Sequence, residues 1–145
     1  MRRFLFDTSV FIYALGGEHF YRDHCRAIMD KGAKGLLAGE ASVELIHEFA
    51  YVRARRMARR AAAADAFDIA ATSRLHAVER ADVERALELW CQHEGLDMRD
   101  AIFAAQALNR EIDAILATDR AFDGIQGLER IDPADADAVA SLVAA

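Results

Sequence analysis

Scarcity narrows the possibilities first. The sequence holds two cysteines, Cys25 and Cys91, and a single proline, Pro133. Two cysteines build no disulfide framework, so a reducing, cytoplasmic location is the expectation. Cys91-Gln92-His93 is the one close Cys/His pair, too few ligands for a structural zinc site. No apolar run approaches the roughly 18–20 residues that span a bilayer, and no membrane association is expected. The opening MRRFLFDTSVFIYAL begins like a secretory leader, but Asp7 breaks the apolar run and no small-residue cleavage site follows cleanly. There is no GxSxG for Ser/His/Asp hydrolysis, the five histidines form no telling pattern, and no glycine-rich phosphate loop is present. Positive charge is in deficit as well: the net charge is −6 and the pI about 5.3. That argues against holding nucleic acid by charge alone, while leaving room for a nucleic-acid enzyme that uses a metal.

What is present reads as one globular domain over residues 1–145, with 54% hydrophobic and 29% charged residues and length enough for a real core. RFLFD (3–7) has the character of a short buried strand, followed by a helical stretch. FYRDHCRAIMDKG (20–32) has the apolar spacing of a helix closed by Gly32. GLLAGEAS (35–42) reads as a second strand. Ser42 then starts a helix over 43–57, with Val43, Ile46, Phe49 (or Ala50) and Val52 (or Arg53) on its inner side. Further helices are expected over 61–72, 81–95 (closed by Gly95) and 97–112, with strands at 75–79, 113–118 and 128–132 and a mildly Ala/Asp-rich tail. Strands alternating with helices mark an α/β chain, a central parallel sheet in a Rossmann-like α/β/α sandwich. Sites in such folds form where strand carboxyl ends meet helix amino ends.

The acids fall at those places. In FLFDTSVFIYAL, Asp7 stands where the strongest apolar run begins, and an unpaired buried carboxylate is costly. Glu44 and Glu48 lie one turn apart on the helix after the second strand. Asp100 opens the helix before the fourth strand, Asp119 ends that strand, and Asp123 follows four residues later. Taken singly, Asp100 is as well explained by a helix start with Asp97, Asp119 by an ordinary turn, and Glu44 or Glu48 by a solvated helix face. Together, carboxylates gathered without Lys or His repel one another and need a cation, and hard oxygen donors suit Mg²⁺ or Mn²⁺. One basic run, RARRMARR, carries Arg53, Arg55, Arg56, Arg59 and Arg60. It is either a solvated helix face or a clamp for phosphates or an acidic partner.

DTSVFIYAL (7–15), SVELIHEF (42–49), RDAIFAAQAL (99–108) and ATDRAFDGIQGLERIDP (117–133) resemble the PIN-domain family, specifically VapC-type toxins of toxin–antitoxin pairs. The resemblance spans nearly the whole chain in order and spacing. It implies a PIN-like α/β/α fold and a metal-dependent ribonuclease cutting RNA phosphodiester bonds. It further implies a cognate antitoxin as partner, with a homodimer as the expected assembly. By motif, the family's acids fall on Asp7, Glu48 (with Glu44 one turn earlier as the other choice), Asp100 and Asp119. Asp7, Asp100 and Asp119 are the expected metal ligands, and Asp123 is a further candidate acid. The family's usual hydroxyl two residues before the last acid is Ala117 here, with Thr118 one step along. Two other readings exist. A haloacid-dehalogenase-like phosphohydrolase wants an Asp where Ser9 stands, and a non-catalytic PIN-fold binding module has no need of all four acids.

Overall fold

A computed structural model describes residues 1–143. Its elements run β1 (Arg3–Phe6), α1 (Thr8–Ala14), α2 (Arg22–Ala33), β2 (Ala38–Ser42), α3 (Val43–Arg53), α4 (Arg59–Thr72), β3 (Arg74–His76), α5 (Arg80–Gln92), α6 (Met98–Asn109) and β4 (Ala114–Leu116). A 3₁₀ turn (Arg120–Phe122), β5 (Glu129–Ile131) and α7 (Ala136–Val143) complete the chain. All strand pairs are parallel, in the order β3-β2-β1-β4-β5. β1 is the middle strand, and the chain builds outward from it first on one side and then on the other. The crevice that such a reversal opens lies at the carboxyl ends of β1 and β4.

The sheet centre is apolar on both faces, as a covered parallel sheet requires. Phe4, Leu5, Ile115, Leu116 and Ala114 are fully buried, and Phe49, Phe103, Leu45 and Phe122 pack over them from the helices and the 3₁₀ turn. Gly39 on β2 is fixed by packing: a methyl group there would collide with the Phe6 ring, which stacks edge-on to Phe4. This is the expected α/β/α arrangement.

Local differences from the sequence expectation have physical causes. α2 continues through Gly32 to Ala33, and the chain turns instead at Gly35, whose φ of 71° suits glycine. β3 stops at His76 rather than 79, because Gln106 and Arg110 side chains claim the carbonyls of His76 and Ala77, and Glu79 becomes the N-cap of α5. α3 ends at Arg53, so RARRMARR is a helix end, a turn and a helix start. Its inner stripe is Leu45 and Phe49, with Ile46 and Val52 half-buried and Val43 38% exposed. The buried Ser42 hydroxyl, accepting from the Glu44 N–H at 3.1 Å, sets this helix start. The Ala/Asp-rich tail is helical: α7 buries Val139 and Leu142 in the core, and the Leu142 carbonyl accepts from the Arg2 N–H.

Candidate active site

Asp7 sits at the rim of the core. It ends β1, its N–H donating to the Leu116 carbonyl at 2.9 Å, and its carboxylate caps α1 by accepting from the Ser9 N–H (3.1 Å) and hydroxyl. It is 6% exposed. Burial pushes its carboxyl up to about 6, helped by the Glu48 charge and restrained by the Ser9 bonds. The Asp-Thr-Ser sequence accounts for the geometry: the acid caps a helix that starts where the strand ends, and the next two hydroxyls fix the acids around it.

Thr8 supplies the second such bond, donating to Glu48 Oε2 at 2.7 Å across 40 residues of sequence. The other Glu48 oxygen lies 3.3 Å from Arg99. Glu48 and Val52 flank the Leu45/Phe49 stripe of α3 and border the cleft, whereas Glu44 turns to solvent beside His47. On α6, Asp97 is the N-cap, accepting from the Asp100 N–H at 2.8 Å. The helix-start explanation therefore holds for the Asp100 backbone only. Its carboxylate stays free to face the cleft, and among the described residues nothing donates a hydrogen bond to it. Burial, and then the charges of Asp7, Asp97, Asp119 and Glu48, push it up to about 8. Asp119 caps the 3₁₀ turn through the Ala121 N–H (2.9 Å).

One cleft is thus bordered by Asp7, Glu48, Asp97, Asp100 and Asp119, drawn from four separate parts of the chain, with Tyr13, Tyr21 and Thr118 on its walls. Asp123 is not among them: its carboxylate is held by Arg130 at 2.8 Å. Ala117 is fully buried, so the hydroxyl nearest the acids on this segment is that of Thr118. Sequence reasoning passed over Asp97, Thr8, Tyr13 and Tyr21. It also missed Arg99, the one basic side chain paired with a cleft acid among the described residues. The hydroxyl after Asp7 was the available signal for Thr8; nothing local marks the tyrosines.

Hard oxygen donors around an acid forced up to about 8 fit a divalent cation of the Mg²⁺ or Mn²⁺ kind. Among the described residues, no three His, Cys, Asp or Glu side chains form a ready-made cage. Asp7, Glu48 and Asp119 are each engaged with Ser9, Thr8 and Ala121, so the carboxylates ring a cleft rather than meet at a point.

The basic run divides. Arg53, Arg55 and Arg56 border a second hollow that shares Ile12, Tyr13 and Val52 with the cleft, and Arg59 and Arg60 open α4 outside it. No carboxylate among the described residues lies within 4.0 Å of any of these five arginines, in contrast to Arg2, Arg3, Arg110 and Arg130.

A five-stranded parallel sheet with acids at the carboxyl edge of its middle strands defines the class. The PIN domain family model matches residues 4–128, and the chain belongs to that family. It is 35% identical to Ribonuclease VapC7 of Mycobacterium tuberculosis over 139 residues, 94% of this chain and 95% of that protein. Ribonuclease VapC13 of the same organism is 27% identical over 88% of this chain and 98% of its own length. Among solved structures, a toxin–antitoxin complex from Klebsiella pneumoniae superposes with a TM-score of 0.69 at 18% identity, covering 90% of this chain and 97% of that one. Mycobacterium tuberculosis VapC20, described as a sarcin–ricin loop cleaving toxin, does so at 0.68 and 20% identity, covering 81% and 90%. At these identities the structural likeness speaks to the fold.

Proposed function

We propose that this chain is the toxin of a VapC-type toxin–antitoxin pair, a metal-dependent endoribonuclease whose site is Asp7, Glu48, Asp100 and Asp119. The observation that carries the reading is the convergence of these acids on one cleft, with the Asp100 carboxyl pushed up to about 8. Family membership and the relatives named ribonucleases support RNA as substrate. A fold neighbour solved as a toxin–antitoxin complex supports a cognate antitoxin as partner. We take residues 1–145 as one PIN domain acting as a homodimer in the cytoplasm; among the described residues no helix is long and apolar enough to cross a membrane.

Asp7, Asp100 and Asp119 would hold Mg²⁺ or Mn²⁺, which supplies positive charge beside the scissile phosphate and acidifies a water for attack. The chain's own residues do the positioning. Ser9 and the start of α1 fix Asp7, and Thr8 with Arg99 fixes the Glu48 carboxylate at the cleft, where it can orient or accept a proton from the attacking water. Ile12 and Val52 give the cleft apolar lining.

The test is to incubate purified, antitoxin-free protein with total RNA, with Mg²⁺ or with EDTA, and sequence the new ends. Discrete cuts that need the metal are expected. Cleavage that persists in EDTA, or that only zinc supports, would overturn the assignment.

A further inference from the structure

The acid cleft has a neighbour: Ile12, Tyr13 and Val52 border both it and the hollow lined by Arg53, Arg55 and Arg56. Two features of this region are unexplained by cleavage chemistry. One is a group of rings: Tyr13 and His19 stack with centroids 4.2 Å apart at 20°, and Tyr21 lies 5.5 Å from Tyr13, tilted at 31°, and 6.1 Å from His19 at 15°. The other is uncompensated positive charge. Arg55 is held against Tyr51, its guanidinium 4.7 Å from the ring centre and donating to the hydroxyl at 3.0 Å, with no carboxylate of the described residues within 4.0 Å. The Nε–H of Arg53 is buried without an acceptor among the described residues, a costly state.

The rings are braced in advance. The Tyr21 hydroxyl donates to Asp132 at 3.1 Å, and the Tyr21 N–H donates to His19 Nδ1 at 3.2 Å. Side chains held in place before binding lose little freedom on stacking. His19 is exposed, so one face of the group is open to a ligand. Aromatic faces take unpaired bases, and guanidinium groups take the phosphates between them. Bases inside a duplex have both faces covered by their neighbours and cannot use such a platform.

We propose that an unpaired stretch of the RNA runs from the acid cleft across Tyr13 to Arg53, Arg55 and Arg56, with one base stacked on the Tyr13–His19–Tyr21 platform. This rests on the ribonuclease reading and adds to it a subsite that holds one base beside the cut.

The test uses a labelled single-stranded RNA of about twelve nucleotides, within the usual reach of such sites, bound with Ca²⁺ replacing Mg²⁺ to slow turnover. His19→Ala should weaken binding about tenfold and leave its salt dependence alone, and His19→Phe should restore it. Arg53→Gln with Arg56→Gln should flatten the salt dependence, by roughly 0.7 in slope for each lost contact. In Mg²⁺, His19→Ala should raise KM with kcat nearly unchanged, and a duplex of the same sequence should compete poorly. Unchanged affinity in both variants, or a duplex that binds as tightly, overturns the proposal while cleavage by the wild type leaves the ribonuclease reading standing. Variants that keep RNA affinity but lose the antitoxin assign this surface to the protein partner, and the proposal is then wrong. A wild type that neither binds nor cuts any RNA removes the reading underneath as well.

Discussion

Glu40 and Asp100 are two carboxylates withdrawn from water near the same sheet, and they are treated oppositely. Glu40, in the middle of β2, receives two hydrogen bonds from the Arg3 guanidinium (2.6 and 3.0 Å) and lies 2.6 Å from His76 Nε2. Burial pushes it up, but Arg3 and His76 outweigh that and hold it below the ordinary carboxylate range. Asp100, at the carboxyl edge, has burial and four acids around it and sits near 8. Asp82 repeats the first pattern, with burial opposed by Arg110, the Glu79 N–H and Asn109. A fold that neutralises its structural acids so thoroughly has the means to neutralise the cleft acids too. That it leaves Asp100 uncompensated is what marks the cleft as a place for an external cation.

The comparison breaks most visibly at Asp7. Asp7→Asn keeps the size of the side chain and removes the charge, so cleavage should fall by about 10²–10³-fold, the usual loss when one preorganised electrostatic group is deleted. The folded state should be unharmed or slightly steadier in EDTA, because repulsion with Glu48 goes. Cleavage within a few-fold of wild type at ordinary Mg²⁺ would remove Asp7 from the site.

The opposite outcome is expected of Glu40→Gln. Here the variant leaves Arg3 and His76 without their acid, at a cost of about 2 kcal/mol once the 42% exposure of Arg3 is allowed for. Cleavage per folded molecule should stay the same. Since the Glu40 carboxyl is depressed on folding, its contribution is present above its unfolded pKa near 4.5 and is lost as pH falls through the folded value. The stability gap between wild type and variant should accordingly close in acid. A denaturant series at pH 7 and pH 3 checks both statements, and a gap that widens in acid would contradict them.

The two kinds of acid were unequally legible in the sequence. Asp7, Asp100 and Asp119 stand at strand ends and helix starts, and parallel topology alone brings such positions to one edge. Glu40 and Asp82 gave no sign, because their charged partners lie 37, 36 and 28 residues away and no local period encodes a side-chain pairing between distant elements. Asp123, four residues past the strand-end acid, is claimed by Arg130 from β5, a nearer partner that no local period encodes either. Helix rotation was the other blind spot. The pattern of α3 admitted several inner faces, and it could not say which of Glu44 and Glu48, one turn apart on a shared face, reaches the cleft. Packing of Leu45 and Phe49 settles the rotation, and the position along the axis then puts Glu48 at the cleft and Glu44 one turn outside it. For α7, alanines and aspartates gave too weak a period to read, and burial of Val139 and Leu142 supplies what propensity does not.

A finer comparison lies within α3. Glu48→Gln should lower kcat by about tenfold or more, in the range of lost positioning contacts, and Glu44→Gln should stay within a factor of about two. Greater loss at Glu44 would mean that the substrate lies one turn nearer the start of the helix.

The smallest effect is the most discriminating, since it reads the cation without reading cleavage. The Asp100 carboxyl is raised on folding from an ordinary 3.8 to about 8. A raised acid favours the folded state fully at pH below its unfolded pKa, and that advantage drains away as pH climbs through the folded pKa. Metal-free wild type should therefore lose stability between about pH 4 and pH 8 on account of this group, and Asp100→Asn should not. The full shift would be worth several kcal/mol, but the cleft is open to water and its charges are screened, so about 1 kcal/mol at pH 7.5 is expected. In EDTA the variant should melt above wild type at pH 7.5 and level with it at pH 4. Added Mg²⁺ should reverse the order at pH 7.5. A cation at about ten times its Kd stabilises the wild type by about 1.4 kcal/mol, and the variant has lost a ligand. If Mg²⁺ raises both melting temperatures equally, the cation binds elsewhere, and Asp100 is an acid the fold merely tolerates.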